Sequence, residues 1–376
     1  MYIVDNFING AANTVSDDSS LIIDPSYGKD IGKVLYATTD TADLAIESAK
    51  QAFENWSLTG LSYRAELILK FRQGIIDRSN EIIGICTSEA GKTKPDAEAE
   101  LDRAIQALTN ASAVQHFYPS HLSPNVAGGI DIADRRYPIG VIAGVGPFNF
   151  PILIPILHSA MALVTGNTYI AKPSEKVPSI SRLYGDIYKE SGLPDGCYNV
   201  VNGSKEIVEH LVCHKDIAGL AFIGSTGAAR SLKMLGVEHN TKVQALGGGK
   251  NHMIVLPDAD LDMSADAAVS ASFGAAGQRC MAVSVVVAVG DIADDLINKI
   301  KERMPNLIMG TTDNNDTQLG PVISMENKQR IYSFIDAAES EGATLSVDGR
   351  KLSDGKEGCF VGPTLIDNVK PGMSVY

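Results

Sequence analysis

At 376 residues and a formal net charge of -13, the chain is long enough for two or three domains and too acidic for nonspecific nucleic-acid binding, which needs a basic surface. Hydrophobic residues at 44% and charged residues at 20% are the balance of an ordinary globular protein. The cysteines (Cys86, Cys197, Cys213, Cys280, Cys359) are odd in number and scattered, with no Cys-x-x-Cys pair or Cys/His cluster, so neither a disulfide framework nor a metal site is expected. The first residues, MYIVDNFINGAANTV, lack the basic-then-apolar pattern of a signal peptide. The apolar run from Pro151 to Val164 is broken by prolines and His158 and is too short to span a bilayer. A cytoplasmic enzyme without a membrane partner is expected, with a processed mitochondrial matrix form as the alternative.

Residues 1 to 37 read as short strands with a turn at Asn9-Gly10. Thr39-Asp40-Thr41 starts a helix, and Leu44, Ile46, Ala49, Phe53 and Trp56 follow at helical spacing. Further helices are predicted over 62–79, 80–89 and 96–117. Residues 119–129 read as a Pro/Ser/Gly-containing connection, and 130–145 as two strands around Tyr137-Pro138-Ile139-Gly140. Short apolar strands then alternate with helices: strands at 141–145, 168–172, 197–201 and 220–223, helices at 180–190 and 204–214 and after Gly227. That alternation predicts a parallel, doubly wound α/β sheet. After Val243 the pattern restarts with a Gly-rich stretch, strands at 253–256, 283–289 and 343–347, and helices at 261–272, 292–304 and 326–339. A second α/β unit is expected there.

Four stretches carry candidate chemistry. Cys280 lies in Phe273-Gly274-Ala275-Ala276-Gly277-Gln278-Arg279-Cys280-Met281-Ala282, where small neighbours let a substrate approach a thiol and Arg279 favours a thiolate. A buried structural cysteine is the competing reading. Gly224-Ser225-Thr226-Gly227 follows a strand and opens a helix, a place where backbone N–H groups meet a pyrophosphate or where the chain merely turns. Lys172-Pro173-Ser174-Glu175 ends another strand of the same unit, where nucleotides bind on open parallel sheets; a solvated charged turn is the alternative. Pro147-Phe148-Asn149-Phe150-Pro151 holds a rigid amide in an apolar setting, suited to stabilising an oxyanion or simply to turning the chain.

Together, in order and spacing, these motifs resemble the aldehyde dehydrogenase superfamily, over about residue 3 to the end. Gly249-Lys250-Asn251-His252, Pro257-Asp258-Ala259-Asp260-Leu261 and Arg279-Cys280-Met281-Ala282 narrow the resemblance to the CoA-acylating members that act on methylmalonate or malonate semialdehyde. The resemblance implies a Rossmann-type NAD domain over 1–118 and 141–243, an oligomerisation hairpin over 119–140 and an incomplete α/β catalytic domain over 244–376. It implies Cys280 as nucleophile, with Asn149 and the Cys280 backbone N–H as the oxyanion hole. Gly146, Phe148, Lys172, Glu175, Lys176, Ser225 and Gly247 match NAD-contacting positions. Arg103 and Arg279 match the pair used for a substrate carboxylate, which a guanidinium binds in a two-pronged fashion. NAD is the implied cofactor, CoA the cosubstrate, a small semialdehyde the substrate, and a homo-oligomer, a homotetramer in the family, the assembly.

Two departures stand out. Hydrolytic members carry a Glu at the start of a Glu-Leu-Gly-Gly motif that activates water; here the stretch is Gln244-Ala245-Leu246-Gly247-Gly248-Gly249, with no carboxylate. Acyl transfer to CoA is therefore expected over hydrolysis. Tyr376 falls just before the place where the family has Glu-Ile-Phe-Gly-Pro, whose Glu holds the nicotinamide ribose. The resemblance thus implies a fragment or truncated form, expected to bind NAD weakly, turn over poorly and aggregate.

Overall fold

The computed structural model describes residues 1–376. After β1 (Tyr2–Val4), Asn9 and Gly10 both take left-handed backbone, with φ of 52° and 74°. A two-residue hairpin turn needs that pair of angles, and it joins β2 (Asn6–Ile8) to β3 (Ala11–Asn13) in antiparallel register. β4 (Ser19–Asp24) and β5 (Lys29–Leu35) follow. Thr38 caps α1 (Thr39–Trp56): its side chain accepts a hydrogen bond from the Thr41 backbone at 3.1 Å. α2 (Leu61–Asp77), α3 (Ser79–Ala90) and α4 (Lys94–Ser112) come next. The helix predicted over 96–117 breaks at Ala113, and α5 (Val114–Phe117) is a separate turn. Residues 119–129 are not a plain connection, because β6 (Leu122–Ala127) pairs antiparallel with β7 (Ile130–Ala133) in a ribbon whose strand residues are all exposed.

The predicted βα alternation then appears: β8 (Val141–Val145), α6 (Leu153–Val164), β9 (Thr168–Lys172), α7 (Ser179–Glu190), β10 (Tyr198–Val200), α8 (Lys205–Cys213), β11 (Ile217–Ile223) and α9 (Thr226–Glu238), followed by a strand that sequence reading leaves out, β12 (Lys242–Leu246). The strand order is β12-β11-β8-β9-β10-β2-β3, parallel from β12 to β10 and closed by the antiparallel β2–β3 hairpin. Order reverses beside β8: β9 and β10 extend the sheet one way, β11 and β12 the other. This is a doubly wound Rossmann-type sheet, and ligands bind such sheets at the carboxyl ends of the strands beside the reversal. One face is covered by α1, α8 and α9, whose Ala45, Ile46, Leu211 and Leu232 join Ala143, Ile170 and Leu220 of the strands in one core. On α2 and α7, Phe71 stacks on Tyr188 with ring centroids 3.5 Å apart, and Tyr198 of β10 lies 4.7 Å from Tyr188. Central strands buried on both faces explain why they read as continuous apolar runs.

The chain divides into two compact units, residues 1–21, 32–82 and 99–247 in one, and 22–31, 83–98 and 248–376 in the other. The second thus takes in two segments that sequence reading leaves with the nucleotide domain. It contains the parallel pair β13 (Asn251–Val255) and β14 (Val283–Ala288), linked through α10 (Leu261–Phe273). α10 and α11 (Ala293–Arg303) bury Ala265, Val269, Leu296 and Ile300 together with Val255. Asp260 caps α10 by accepting from the Asp262 and Met263 backbone at 2.9 and 3.1 Å. α12 (Met325–Ser340) and the antiparallel pair β15 (Thr344–Val347) and β16 (Leu365–Asp367) complete the unit. No helix is long and apolar enough to cross a membrane.

Candidate functional site

In the first unit, parallel pairing puts the carboxyl ends of β8, β9, β11 and β12 on one edge of the sheet. Val145 is in register with both Lys172 and Phe222, and Ile223 with Leu246. Gly146 therefore leaves β8 beside Lys172, and its N–H donates to the Lys172 carbonyl at 3.1 Å. The turns after β9 and β11, which hold Lys172, Glu175, Lys176 and Ser225, accordingly share this edge, and Gly247 follows β12 on it. Lys172 is 6% exposed. Burial lowers its pKa and the Glu175 carboxylate works against that, the two groups standing 3.7 Å apart. A buried ammonium with one carboxylate at that distance keeps donor capacity for a hydroxyl or an anion. Ser225 caps α9, accepting from the Ala228 backbone at 3.4 Å. A Cβ built on Gly227, in the first turn of α9, would meet nothing within 4 Å, so the positive end of this helix opens on free space. A Cβ on Gly247 would come to 3.0 Å from the Thr226 backbone, so a side chain there would crowd the start of α9. These features fit a dinucleotide with its pyrophosphate at the start of α9 and its ribose near Lys172 and Glu175.

Asn149 lies in the same unit, in the half-buried turn that carries Phe148 from β8 into α6. α6 has no side-chain cap of its own. Glu100, 2% exposed on α4, takes that part: its Oε1 accepts from the Ile152 and Leu153 backbone N–H groups, both at 2.8 Å. A carboxylate against a helix N-terminus meets both the unpaired donors and the favourable end of the helix dipole. The Tyr184 hydroxyl donates to the Ile152 carbonyl at 3.0 Å and fixes the same residue from another side. Beyond α6, a cavity of about 710 Å³ is lined by Arg64, Arg136, Tyr137, Leu157, His158 and Gln244, among others. His158 is held neutral there, its pKa pushed down to about 4 by burial.

Cys280 lies in the second unit and is exposed, whereas Cys86, Cys197 and Cys359 are buried and Cys213 is half-buried. The exposed setting excludes the reading of Cys280 as a buried structural cysteine. Ala275, Ala276 and Gly277 take consecutive left-handed conformations, with φ of 52°, 54° and 72°. For the two alanines this costs about 1–2 kcal/mol each. The turn is held from its surroundings. The Ala275 N–H donates to Asp96 Oδ2 at 3.1 Å, and Arg279 Nη2 pairs with Asp96 Oδ1. The Gln278 N–H donates to the Ala275 carbonyl at 3.0 Å, while Gln278 Oε1 accepts from the Ile323 backbone at 3.0 Å. On the far side of the thiol, Asn251 Nδ2 donates to the carbonyls of Cys280 and Ala282 at 3.0 and 2.8 Å. Arg279 folds back over Gly274, where a Cβ would come within 2.6 Å of the guanidinium carbon. The Arg279 charge, expected to favour a thiolate at Cys280, is thus already met by a carboxylate.

A model of the aldehyde dehydrogenase family matches residues 13–376. Malonate-semialdehyde dehydrogenase 3 of Geobacillus kaustophilus is 38% identical over 373 residues, which are 99% of this chain and 77% of that one. The chain belongs to the aldehyde dehydrogenase family. Among solved structures, methylmalonate-semialdehyde dehydrogenase from Oceanimonas doudoroffii superimposes with a TM-score of 0.97 at 38% identity, covering 100% of this chain and 78% of that one. A putative methylmalonate-semialdehyde dehydrogenase from Sinorhizobium meliloti 1021, solved in complex with NAD, gives a TM-score of 0.97 at 39% identity over 100% and 77%.

Within this family fold, Arg103 is exposed on α4 of the first unit and forms no ion pair with Glu98 or Glu100. Glu98 pairs instead with Lys94 at 3.9 Å, and Glu100 is engaged with α6. Two polar residues that hold these turns escape sequence reading, Asp96 in the second unit and Glu100 in the first. Asp96 leaves one trace. Thr93-Lys94-Pro95-Asp96 is a helix-start signature, and the Thr93 hydroxyl and Asp96 Oδ2 bond at 3.1 Å. Glu100 leaves none, because what it holds is distant in sequence.

Proposed function

We propose that this protein catalyses the NAD-dependent, CoA-acylating oxidation of a small carboxylated semialdehyde: methylmalonate or malonate semialdehyde to propionyl-CoA or acetyl-CoA, with CO2 and NADH. The observation that carries this reading is the exposed Cys280, held in a strained turn by Asp96 and Asn251, in a chain 38% identical to a malonate-semialdehyde dehydrogenase. In this reading the Cys280 thiolate adds to the aldehyde carbon and forms a thiohemiacetal. The Asn149 amide and the Cys280 N–H donate to the oxygen that gains charge. When bound along Gly146, Phe148, Lys172, Glu175, Lys176, Ser225 and Gly247, NAD supplies the hydride acceptor. The malonyl-type thioester left on Cys280 loses its carboxylate as CO2 and takes up a proton at the carbon that carried it, and the remaining acyl group passes to the CoA thiol, which frees Cys280. The carboxylate-free stretch from Gln244 to Gly249 favours the thiol over water as acceptor, since no base there activates water. Arg103 and Arg279 are proposed to bind the substrate carboxylate, and the pair with Asp96 engages one nitrogen of Arg279, Nη2.

The assignment of 1–118 and 141–243 to the NAD domain and of 244–376 to the catalytic domain belongs to the same proposal. So does an oligomerisation role for the 119–140 ribbon. Its exposed Leu122, Val126, Ile130 and Ile132 support that role. The bacterial relatives support a cytoplasmic location. The test is to supply the semialdehyde and NAD with and without CoA, follow NADH, and identify the acyl product by mass. Product formation that depends on CoA, and its loss in Cys280→Ala with NAD binding retained, is the expected result. An acid product formed at the same rate without CoA would overturn the acyl-transfer reading in favour of hydrolysis.

A further inference from the structure

We propose that Asp96 is a positioning residue for the Cys280 turn, and that it orients Arg279 toward the substrate. The inference rests on the reading of Cys280 as nucleophile. Asp96 holds the turn at two points: Oδ2 takes the Ala275 N–H where the left-handed segment starts, and Oδ1 pairs with Arg279 Nη2 immediately before the thiol. Asp96 is itself fixed. Its side chain is 14% exposed, its backbone N–H donates to the Thr93 hydroxyl at 3.4 Å, and that hydroxyl bonds back to Oδ2. Such a closed cap ties the carboxylate to the rigid first turn of α4. The turn it holds has little intrinsic preference for its shape, since two of its three left-handed residues are alanines. The place of the Cys280 thiol is therefore set by a carboxylate 184 residues earlier in the sequence. The pair with Arg279 also uses only one guanidinium nitrogen. Asp96 thus holds the fork in a fixed direction without filling it, which prepares it for a second carboxylate.

Two variants separate the two parts of this role. Asp96→Ala removes both contacts. Asp96→Asn keeps an acceptor for the Ala275 N–H and removes the charge that holds Arg279. The readouts on the 376-residue chain are the rate of iodoacetamide modification at Cys280, located by peptide mass, and the melting temperature. Turnover with a carboxylated semialdehyde and with propanal is compared as a KM and kcat split. Asp96→Ala is expected to change Cys280 modification at least fivefold and to lower kcat at least tenfold on both aldehydes. Asp96→Asn is expected to keep Cys280 modification within twofold of wild type while raising the KM for the semialdehyde at least fivefold more than that for propanal. If Asp96→Ala does not fold, the KM split in Asp96→Asn decides alone. Wild-type behaviour of a folded Asp96→Ala, or equal KM effects on both aldehydes in Asp96→Asn, overturns the proposal. Turnover that survives in Cys280→Ala refutes the functional reading instead, and the Cys280 modification rates still report whether Asp96 sets the turn.

Discussion

Glu100 offers a quantitative test of how the Asn149 turn is held. Its carboxylate is 2% exposed and accepts two backbone N–H groups at 2.8 Å where α6 begins. In Glu100→Ala those donors lose their partner, and a buried donor left unpaired costs about 1–3 kcal/mol. The lost anion at the helix N-terminus adds about 0.3–1 kcal/mol, so the sum for the two donors and the charge is about 2–7 kcal/mol. Glu100→Gln keeps a neutral acceptor of similar reach and should cost only about 1–2 kcal/mol, because it loses charge assistance rather than the bond. Trp56, the single tryptophan, is 2% exposed and belongs to the first unit. Its fluorescence in a urea titration therefore reports the unit in which Glu100 caps α6. Asn149 is three residues from Ile152, so the Ala variant should also lose kcat by tenfold or more, while Glu100→Gln stays within about threefold. An Ala variant destabilised by less than about 1 kcal/mol would refute the capping argument. So would a Gln variant as damaged as the Ala one.

Two further outcomes follow from the first unit. Lys172→Ala should raise the KM for NAD at least tenfold and leave the melting temperature within a few degrees, since it removes a buried cation that favours neutrality by position; an unchanged KM would remove Lys172 from the cofactor site. His158 has a pKa of about 4 when folded, against 6.5 unperturbed. The unfolded chain therefore binds the proton first as pH falls through 6.5, and folding should lose about 2 kcal/mol between pH 7 and pH 5 through this group. The loss continues until the folded pKa near 4 is passed. His158→Gln should flatten the urea midpoint over this range, and an unaltered pH slope would show that burial of His158 is not what the titration senses.

Much of the fold is legible because the doubly wound sheet repeats one physical signal. Central strands such as Thr168–Lys172 are buried on both faces and read as apolar runs, and the helices between them carry their own caps and periodicity. What is not legible has specific causes. β12 exposes every second residue along the sheet margin, so Lys242–Leu246 lacks an apolar run and hides in a Gly-rich stretch. The β6–β7 ribbon exposes all its strand residues, and no alternation marks it. The break at Ala113 interrupts no hydrophobic pattern, because Val114 follows the buried Ala111 three residues on and is itself buried. The strand-end positions of Lys172 and Ser225 follow from topology. They are readable in sequence only because βαβ connections keep parallel strands pointing one way.

The Cys280 turn marks the limit of that reading. Its composition signals close approach and nothing more: a thiol among Gly and Ala. No local rule predicts two alanines with positive φ, and a sequence-based argument would place glycines there. The conformation is imposed by Asp96, Gln278 and Asn251, which bond the turn at Ala275, Cys280 and Ala282. Strain held by such tertiary bonds is common at functional sites, where geometry must be fixed before substrate arrives. Burial also sets the cysteines apart. Burial raises the thiol of Cys197 to about 12, and Cys86 and Cys359 are closed to solvent. Exposure alone would make Cys280 merely accessible. In the proposed reaction, a turn bonded on both sides of Cys280 also fixes the direction from which a carbonyl approaches the thiol.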